Sequence, residues 1–232
     1  SISKTFEKTS LAPRFRFFGN IVIGQHVAPH ELAERYDAVV YAVGAQSDRA
    51  LGIPGEELPG SVAAVDFVGW YNAHPHFEEM AHDLSCGRAV VVGVGNVALD
   101  VARILVTDPA VLAGTDIADH ALKSLHDKGV EEVVISGRRG PLQSAFTTLE
   151  LRELGELEGV DVVVDPDDLA GITDEDAEAA GKTAKANIKV LRDYATLEPR
   201  PGHRRIVFRF RTSPVEIRGA ERVEEIVLAR NE

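Results

Sequence analysis

The chain has 232 residues, 44% of them apolar and 27% charged, which suits a globular protein able to bury a core and excludes disorder as its overall class. Its 25 Lys and Arg stand against 37 Asp and Glu, a net charge of -12, so the basic excess of a dedicated nucleic-acid binder is missing. One cysteine, Cys86, excludes an intrachain disulfide framework, a Cys-rich zinc site or an iron–sulfur cluster.

The longest apolar runs, Ala38–Val43 and Ala89–Val94, are strand-sized and fall short of the ~18 residues of a membrane span. The opening Ser1-Ile2-Ser3 carries neither an initiator methionine nor a signal-type leader. The sequence therefore reads as a cytoplasmic fragment of something longer, monomeric, with no nucleic-acid or membrane partner.

In chain order, residues 14–44 predict strand, turn, short helix, strand. Ile21-Val22-Ile23-Gly24 is short and β-branched, Ala28-Pro29-His30-Glu31-Leu32 is a Pro-opened helical turn, and Tyr36 to Gly44 is a buried-type strand stopped by glycine. Gly52, Pro54, Gly55, Pro59 and Gly60 give the next stretch linker composition, and the best domain boundary falls there, between residues 46 and 47. Arg88 to Val92 is an apolar strand running into Gly93-Val94-Gly95-Asn96-Val97-Ala98 and a helix to about Val106, with Val97, Val101, Ile104 and Leu105 at helical spacing. A second helix over Asp116–His126 and a strand over Glu132–Ser136 complete a strand–helix–strand unit, whose two strands are expected to be parallel.

Further on, Val160–Val164 is a strand, Asp165–Asp168 an acidic loop, and Thr173 to about Arg192 one mostly surface helix. Arg205–Arg211 and Val223–Leu228 alternate like two antiparallel strands facing water on one side. The fold class is thus α/β: a Rossmann-like parallel sheet with an antiparallel strand pair, plus a partial segment of another domain at residues 1–46.

A glycine-rich turn between strand and helix does two jobs. Gly93 permits the tight turn, and Gly95 has no side chain to hold a pyrophosphate away from the free N–H groups of the first helical turn. Ala98 fills the third position, where a small residue lets helix and strand pack closely. A purely structural tight turn is the alternative; the flanking strand and helix are the context the nucleotide motif requires.

In an NAD site, an acid at the end of the second strand accepts from the adenosine ribose. Here Ser136-Gly137-Arg138-Arg139-Gly140-Pro141 stands there instead, and two planar guanidinium forks suit a 2′-phosphate. They lie beyond the usual offset of ~20 residues, which an extra helix within the crossover accommodates. Glu150 and Glu153 share one face of the helix that follows. They could bind a ribose hydroxyl, orient a carboxamide, relay a proton, or form a solvated acidic face.

Asp66-Phe67-Val68-Gly69-Trp70-Tyr71-Asn72, the run Gly95 to Leu105, Arg138-Arg139-Gly140-Pro141-Leu142-Gln143 and the Glu150-Leu151-Arg152-Glu153 helix closely resemble the adrenodoxin-reductase-like ferredoxin–NADP reductases. The whole chain looks like the central part of the bacterial members. The resemblance implies a flavoprotein that passes hydride from NADPH to FAD and then electrons to a ferredoxin-type iron–sulfur protein. It puts the NADP pyrophosphate on Val94, Gly95, Asn96 and Val97 and the 2′-phosphate on Arg138 and Arg139. It also gives Glu150 a further NADP contact, places Glu153 near the nicotinamide as the catalytic candidate, and turns the backbone of Val22 toward the FAD adenine. Val94 departs from the asparagine expected between the two glycines, which a backbone-only role tolerates. The resemblance assigns residues 1–46 to an FAD-binding domain and 47–232 to an NADP-binding domain short of its final strand. The FAD site is incomplete here, because Gly93-Val94-Gly95 is the sole Gly-x-Gly.

Two other readings stay open: a stand-alone NADP-binding module without catalysis, and another flavin oxidoreductase with two dinucleotide folds. A thioredoxin-reductase type would want a Cys-x-x-Cys, which one cysteine rules out. His74, His76, His82 and Asp83 are interrupted by Pro75, so no metal site is assigned. Trp70 and Tyr71 are expected in packing. Arg200, His203, Arg204, Arg205, Arg209 and Arg211 form a basic stretch read as a solvated hairpin.

Overall fold

A computed structural model describes residues 2–44 and 48–231 of the chain, which falls into two compact units, Ser1–Ala45 and Gln46–Glu232. The first unit holds helices α1 (Ile2–Ser10) and α2 (Pro29–Arg35). Proline opens α2, and the Glu31 carboxylate reaches back to the Ala28 N–H at 2.8 Å, which satisfies an amide the helix leaves orphaned.

The two strands expected around α2 do not form. The Val22 carbonyl accepts from the His26 and Gln25 amides at 2.8 and 3.2 Å, and the Val22 N–H donates to His26 Nδ1 at 3.1 Å, so this backbone is spent on its own turn. One isolated bridge, Ile23 to Val27, is the only β-pairing described in this unit. Residues 36–44 have the apolar content of a buried strand but no ladder partner among the described residues. Val40 is 86% exposed and Val43 67%. Composition marks a segment as strand-forming; only a neighbouring strand can make it one.

The second unit follows in the order α3 (Ala64–Tyr71), β1 (Arg88–Val92), α4 (Asn96–Val106), α5 (Pro109–Leu112), α6 (Asp119–His126), β2 (Glu132–Gly137), a 3-10 turn at Pro141–Gln143 and α7 (Thr148–Leu154). Then come β3 (Val160–Val164), α8 (Pro166–Leu169), α9 (Asp174–Ala179), α10 (Lys182–Ala195), β4 (Arg204–Phe210), β5 (Thr212–Arg218) and β6 (Glu225–Arg230). Four strands make a parallel sheet in the order β1-β2-β4-β3, while β5 and β6 pair antiparallel. The β1–β2 unit is parallel as its sequence predicts, in register Arg88↔Glu132 to Val92↔Ser136. Val133 to Gly137 are all buried, as expected of a parallel strand covered on both faces.

Four expectations need correction. Arg205–Arg211 is not half of a hairpin: β4 sits inside the parallel sheet, between β2 and β3. Its Ile206, Val207 and Phe208 are buried, while Arg205 reaches Glu132 at 3.7 Å and Arg209 reaches Asp165 at 3.8 Å. Charges at the ends of a central strand mimic a water-facing alternation when paired acids stand beside them. The antiparallel pair is β5 with β6, and β5 had no distinct signal because Pro214 and Glu216 interrupt its pattern at a bulge. The acidic stretch Asp165–Asp168 is no loop: Asp165 caps α8, which runs over Pro166–Leu169. Residues 173–192 form two helices, broken where Gly181 takes φ 105°, and α10 is no surface helix: Ala184, Asn187, Ile188, Val190, Leu191 and Tyr194 are buried.

The Pro- and Gly-rich stretch at 52–60 is held down rather than slack. The Ile217 N–H donates to the Pro54 carbonyl at 2.8 Å and the Val223 N–H to the Pro59 carbonyl at 2.9 Å. The Leu51 and Gly52 amides converge on the Glu56 carboxylate and hold it below the usual range. Trp70 is core, 1% exposed, with His82 set edge-on at 4.7 Å and His120 Nε2 bonded to the Trp70 carbonyl at 2.8 Å. Burial pushes His82 down. No helix among the described residues is long and apolar enough to cross a membrane.

Candidate functional site

The turn between β1 and α4 is built as the sequence suggests. Gly93 has φ 134°, a backbone that side-chain-bearing residues rarely adopt, and its N–H donates to the Ser136 carbonyl at 2.8 Å, tying the turn to the end of β2. Gly95 is the N-cap of α4, with an ordinary φ of -117° and no side chain to cap the helix. Its conformation does not require glycine, and a Cβ there would meet nothing within 4 Å. The missing side chain therefore leaves open space in front of the helix. No group among the described residues accepts from the amides of Val94, Gly95, Asn96 or Val97. Four unspent donors around an open approach, at the positive end of an 11-residue helix, fit an anion such as a pyrophosphate.

The other end of α4 carries the opposite complement. Lys128 Nζ donates to the Thr107 carbonyl at 2.6 Å and the Ile104 carbonyl at 3.4 Å, and Arg204 Nη1 to the Val106 carbonyl at 3.0 Å. Burial pulls the Lys128 amine down to about 8. Cations at the helix C-terminus satisfy its orphan carbonyls and complement its dipole.

Around the turn, side chains have tasks that the backbone reading did not foresee. Val94 packs against the end of β2: a Cβ on Gly137 would lie 2.5 Å from Val94 Cγ1, so valine here and glycine there specify each other. The Val94 carbonyl accepts from the Ala145 N–H at 2.8 Å, and Asn96 Oδ1 accepts from the Thr147 N–H at 2.8 Å. Val97, counted on the apolar face of the helix, is instead 53% exposed.

Arg138 and Arg139 follow β2 directly, both exposed, and neither guanidinium meets a carboxylate or carbonyl among the described residues. Two adjacent unpaired cations in a chain of net charge -12 are conspicuous. Because Gly137 touches Val94, the pair begins one residue from the glycine turn, so the structure brings Val94–Val97 and Arg138–Arg139 to one edge of the sheet.

Glu150 and Glu153 do share a face of α7, but they are not free. Arg103, on α4, holds Glu150 at 2.5 Å and Glu153 at 3.2 Å, with Asp100 at 3.8 Å. Partial burial raises the Asp100 carboxyl; Arg103 opposes the rise and the two glutamates add to it. Sequence reasoning missed Arg103, which lies 47 positions from Glu150 and is identifiable as a partner only once α4 and α7 pack together.

The missing supports of α7 come from α10. Asn187 is fully buried, accepting from the Thr148 hydroxyl at 2.6 Å and donating to the Phe146 carbonyl at 3.0 Å. Tyr194 donates to the Leu151 carbonyl at 2.8 Å and accepts from the Gly155 N–H at 3.1 Å. A signal for Asn187 exists in the sequence: it is the one polar residue in the spacing Ala184, Asn187, Ile188, Leu191 that otherwise marks a core face. Asn187→Leu, similar in size but unable to bond, is expected to cost about 2–4 kcal/mol because it strands a buried carbonyl and a hydroxyl. Urea unfolding measures this, and a change under about 0.5 kcal/mol would show the network to be dispensable.

Val22 belongs to the first unit, exposed, with its backbone engaged as described above. Cys86 is exposed, and no cluster of three or more metal-ligating side chains occurs among the described residues.

No family model matches the chain. It is 75% identical over all 232 residues to the NADPH-ferredoxin reductase FprA of Mycobacterium tuberculosis (strain ATCC 25618 / H37Rv), covering 51% of that protein. It is 48% identical over 199 residues to the mitochondrial NADPH:adrenodoxin oxidoreductase of Bos taurus, covering 86% of this chain and 40% of that one. The solved structure of Mycobacterium tuberculosis FprA in complex with NADPH superposes with a TM-score of 0.95 over 100% of this chain and 51% of FprA. The chain thus spans about half the length of the curated relatives it matches.

Proposed function

We propose that this chain is the NADP(H)-binding portion of a ferredoxin–NADP reductase of the adrenodoxin-reductase-like kind. Residues 47–232 bind the nucleotide and residues 1–46 contribute a segment of the FAD-binding part. In the whole protein, NADPH supplies a hydride to FAD, and electrons pass on to a ferredoxin-type iron–sulfur protein. One observation carries the reading: four amides around the open approach at Gly95 stand beside two guanidinia, all without a partner among the described residues. Relatives matched over this chain's full length are named NADPH-ferredoxin reductases, which favours the reductase over a stand-alone nucleotide module.

Within this reading, the Val94–Val97 amides hold the pyrophosphate and Arg138 and Arg139 grip the 2′-phosphate. Glu150 and Glu153, fixed by Arg103, take up the ribose and nicotinamide side. Arg103 offsets one of their two negative charges, so they meet an anionic nucleotide with less repulsion than two free carboxylates. The flavin part rests on the resemblance, since the turn at Gly93 is the chain's one Gly-x-Gly and Val22 spends its N–H and carbonyl locally.

Titration of the chain with NADPH and NADH, followed by nucleotide fluorescence, tests the proposal. Two charge-assisted pairs at ~1.5–3 kcal/mol each predict a preference for NADPH of at least about 100-fold. Equal affinity for the two nucleotides would sink it.

A further inference from the structure

We infer that Asn231, acting with the backbone of Arg211, positions the Arg138–Arg139 pair and so sets the preference for a 2′-phosphorylated nucleotide. The inference rests on the nucleotide reading above. Two adjacent guanidinia repel each other, and neither is anchored through its side chain by any described residue. A turn built this way would splay unless its backbone were held.

Its carbonyls are what hold it. The Arg138 carbonyl accepts from Asn231 Nδ2 at 2.7 Å, and the Arg139 carbonyl accepts from the Arg211 N–H at 3.1 Å. Both donors stand at the base of the β5–β6 hairpin: Arg211 links β4 to β5, and Asn231 follows β6. The two are joined to each other, since the Asn231 N–H donates to the Arg211 carbonyl at 2.7 Å. The second hydrogen of Asn231 Nδ2 goes to Ser213 Oγ at 2.8 Å, so the side-chain amide spends one donor on the arginine turn and one on the hairpin.

Arg211 itself has φ 52°, a left-handed backbone that a side-chain-bearing residue keeps only where its surroundings over-determine it. Its guanidinium donates to the Asp168 carbonyl at 3.4 Å and lies along the far side of the turn, 3.5 Å from where a Gly140 Cβ would be. Hairpin, strand junction and arginine turn therefore form one clasp. Asn231 acts on Arg138 through its backbone carbonyl, which makes it a positioning residue.

Asn231→Leu keeps the size of the side chain, removes both donors and adds no charge. The test is titration of wild type, Asn231→Leu, Asn231→Ala and Arg138→Ala with NADPH and NADH, with melting temperatures alongside. Both Asn231 variants are expected to weaken NADPH by about 5- to 30-fold and NADH by less than about twofold, the share of one well-placed hydrogen bond. If Arg138→Ala loses NADPH selectively and neither Asn231 variant does, the clasp is overturned and the nucleotide reading stands. An equal loss of both nucleotides in the Asn231 variants would make the residue a general fold element and overturn the positioning role. If Arg138→Ala itself shows no selective loss, the nucleotide reading fails and this inference fails with it.

Discussion

Gly95→Ala is expected to weaken nucleotide binding by about 100-fold or more while leaving the fold standing. The backbone at Gly95 is ordinary and a methyl group there touches no protein atom, so neither strain nor a clash follows. Alanine is a poorer N-cap than glycine, but it also lowers the entropy of the unfolded chain; the two effects oppose each other and leave a net change of about 1 kcal/mol or less. The methyl instead occupies the space through which an anion reaches the four free amides. Losing two charge-assisted amide bonds at ~1.5–3 kcal/mol each weakens both NADPH and NADH by about 100-fold or more. Titration and melting of the same sample decide it: unchanged binding would make the glycine a remnant of local geometry. Gly137→Ala is the instructive contrast, because its Cβ would collide with Val94 and damage the sheet edge itself.

Arg138→Ala is expected to discriminate between nucleotides where Gly95→Ala does not. Removing one guanidinium should weaken NADPH by roughly 10- to 100-fold and leave NADH nearly unchanged, since NADH lacks the phosphate that the arginine is proposed to grip. Arg138 is exposed and has no carboxylate partner among the described residues, so its removal is expected to cost little stability. Equal losses for the two nucleotides would remove Arg138 from the phosphate site. Together the variants separate the anion cradle, shared by both nucleotides, from the reader of the 2′-phosphate.

Much of the geometry of the candidate site was legible because its signals are local. The sequence from Arg88 to Val106 contains its own strand, turn and helix, and the structure places each within a residue of the expected bounds. Arg138 and Arg139 were identifiable from their place after the second strand. What escaped depends on contacts distant in sequence. Arg103 and Glu150 lie 47 positions apart and meet only through packing of α4 on α7. Asn231 and Arg138 lie 93 apart, and nothing in Arg230-Asn231-Glu232 hints at a carbonyl to be held. The strand β4 was misassigned for the same reason, since its partners Glu132 and Asp165 make charged residues compatible with a central strand.

The place of β4 also orders events in time. Because β2 and β3 are each paired to β4 and not to each other, residues 160–203 have no ladder to join until 204–210 arrive. Closing so long a loop makes that step slow compared with forming β1, α4 and the turn between them. A ribosome delivers the same order, N-terminal segments first. The glycine turn is therefore assembled early, and the arginine turn waits for Arg211 and Asn231. On the proposed reading, a chain caught between these stages already exposes the amides of the glycine turn, and the means to tell one dinucleotide from another comes only once β6 and Asn231 are in place.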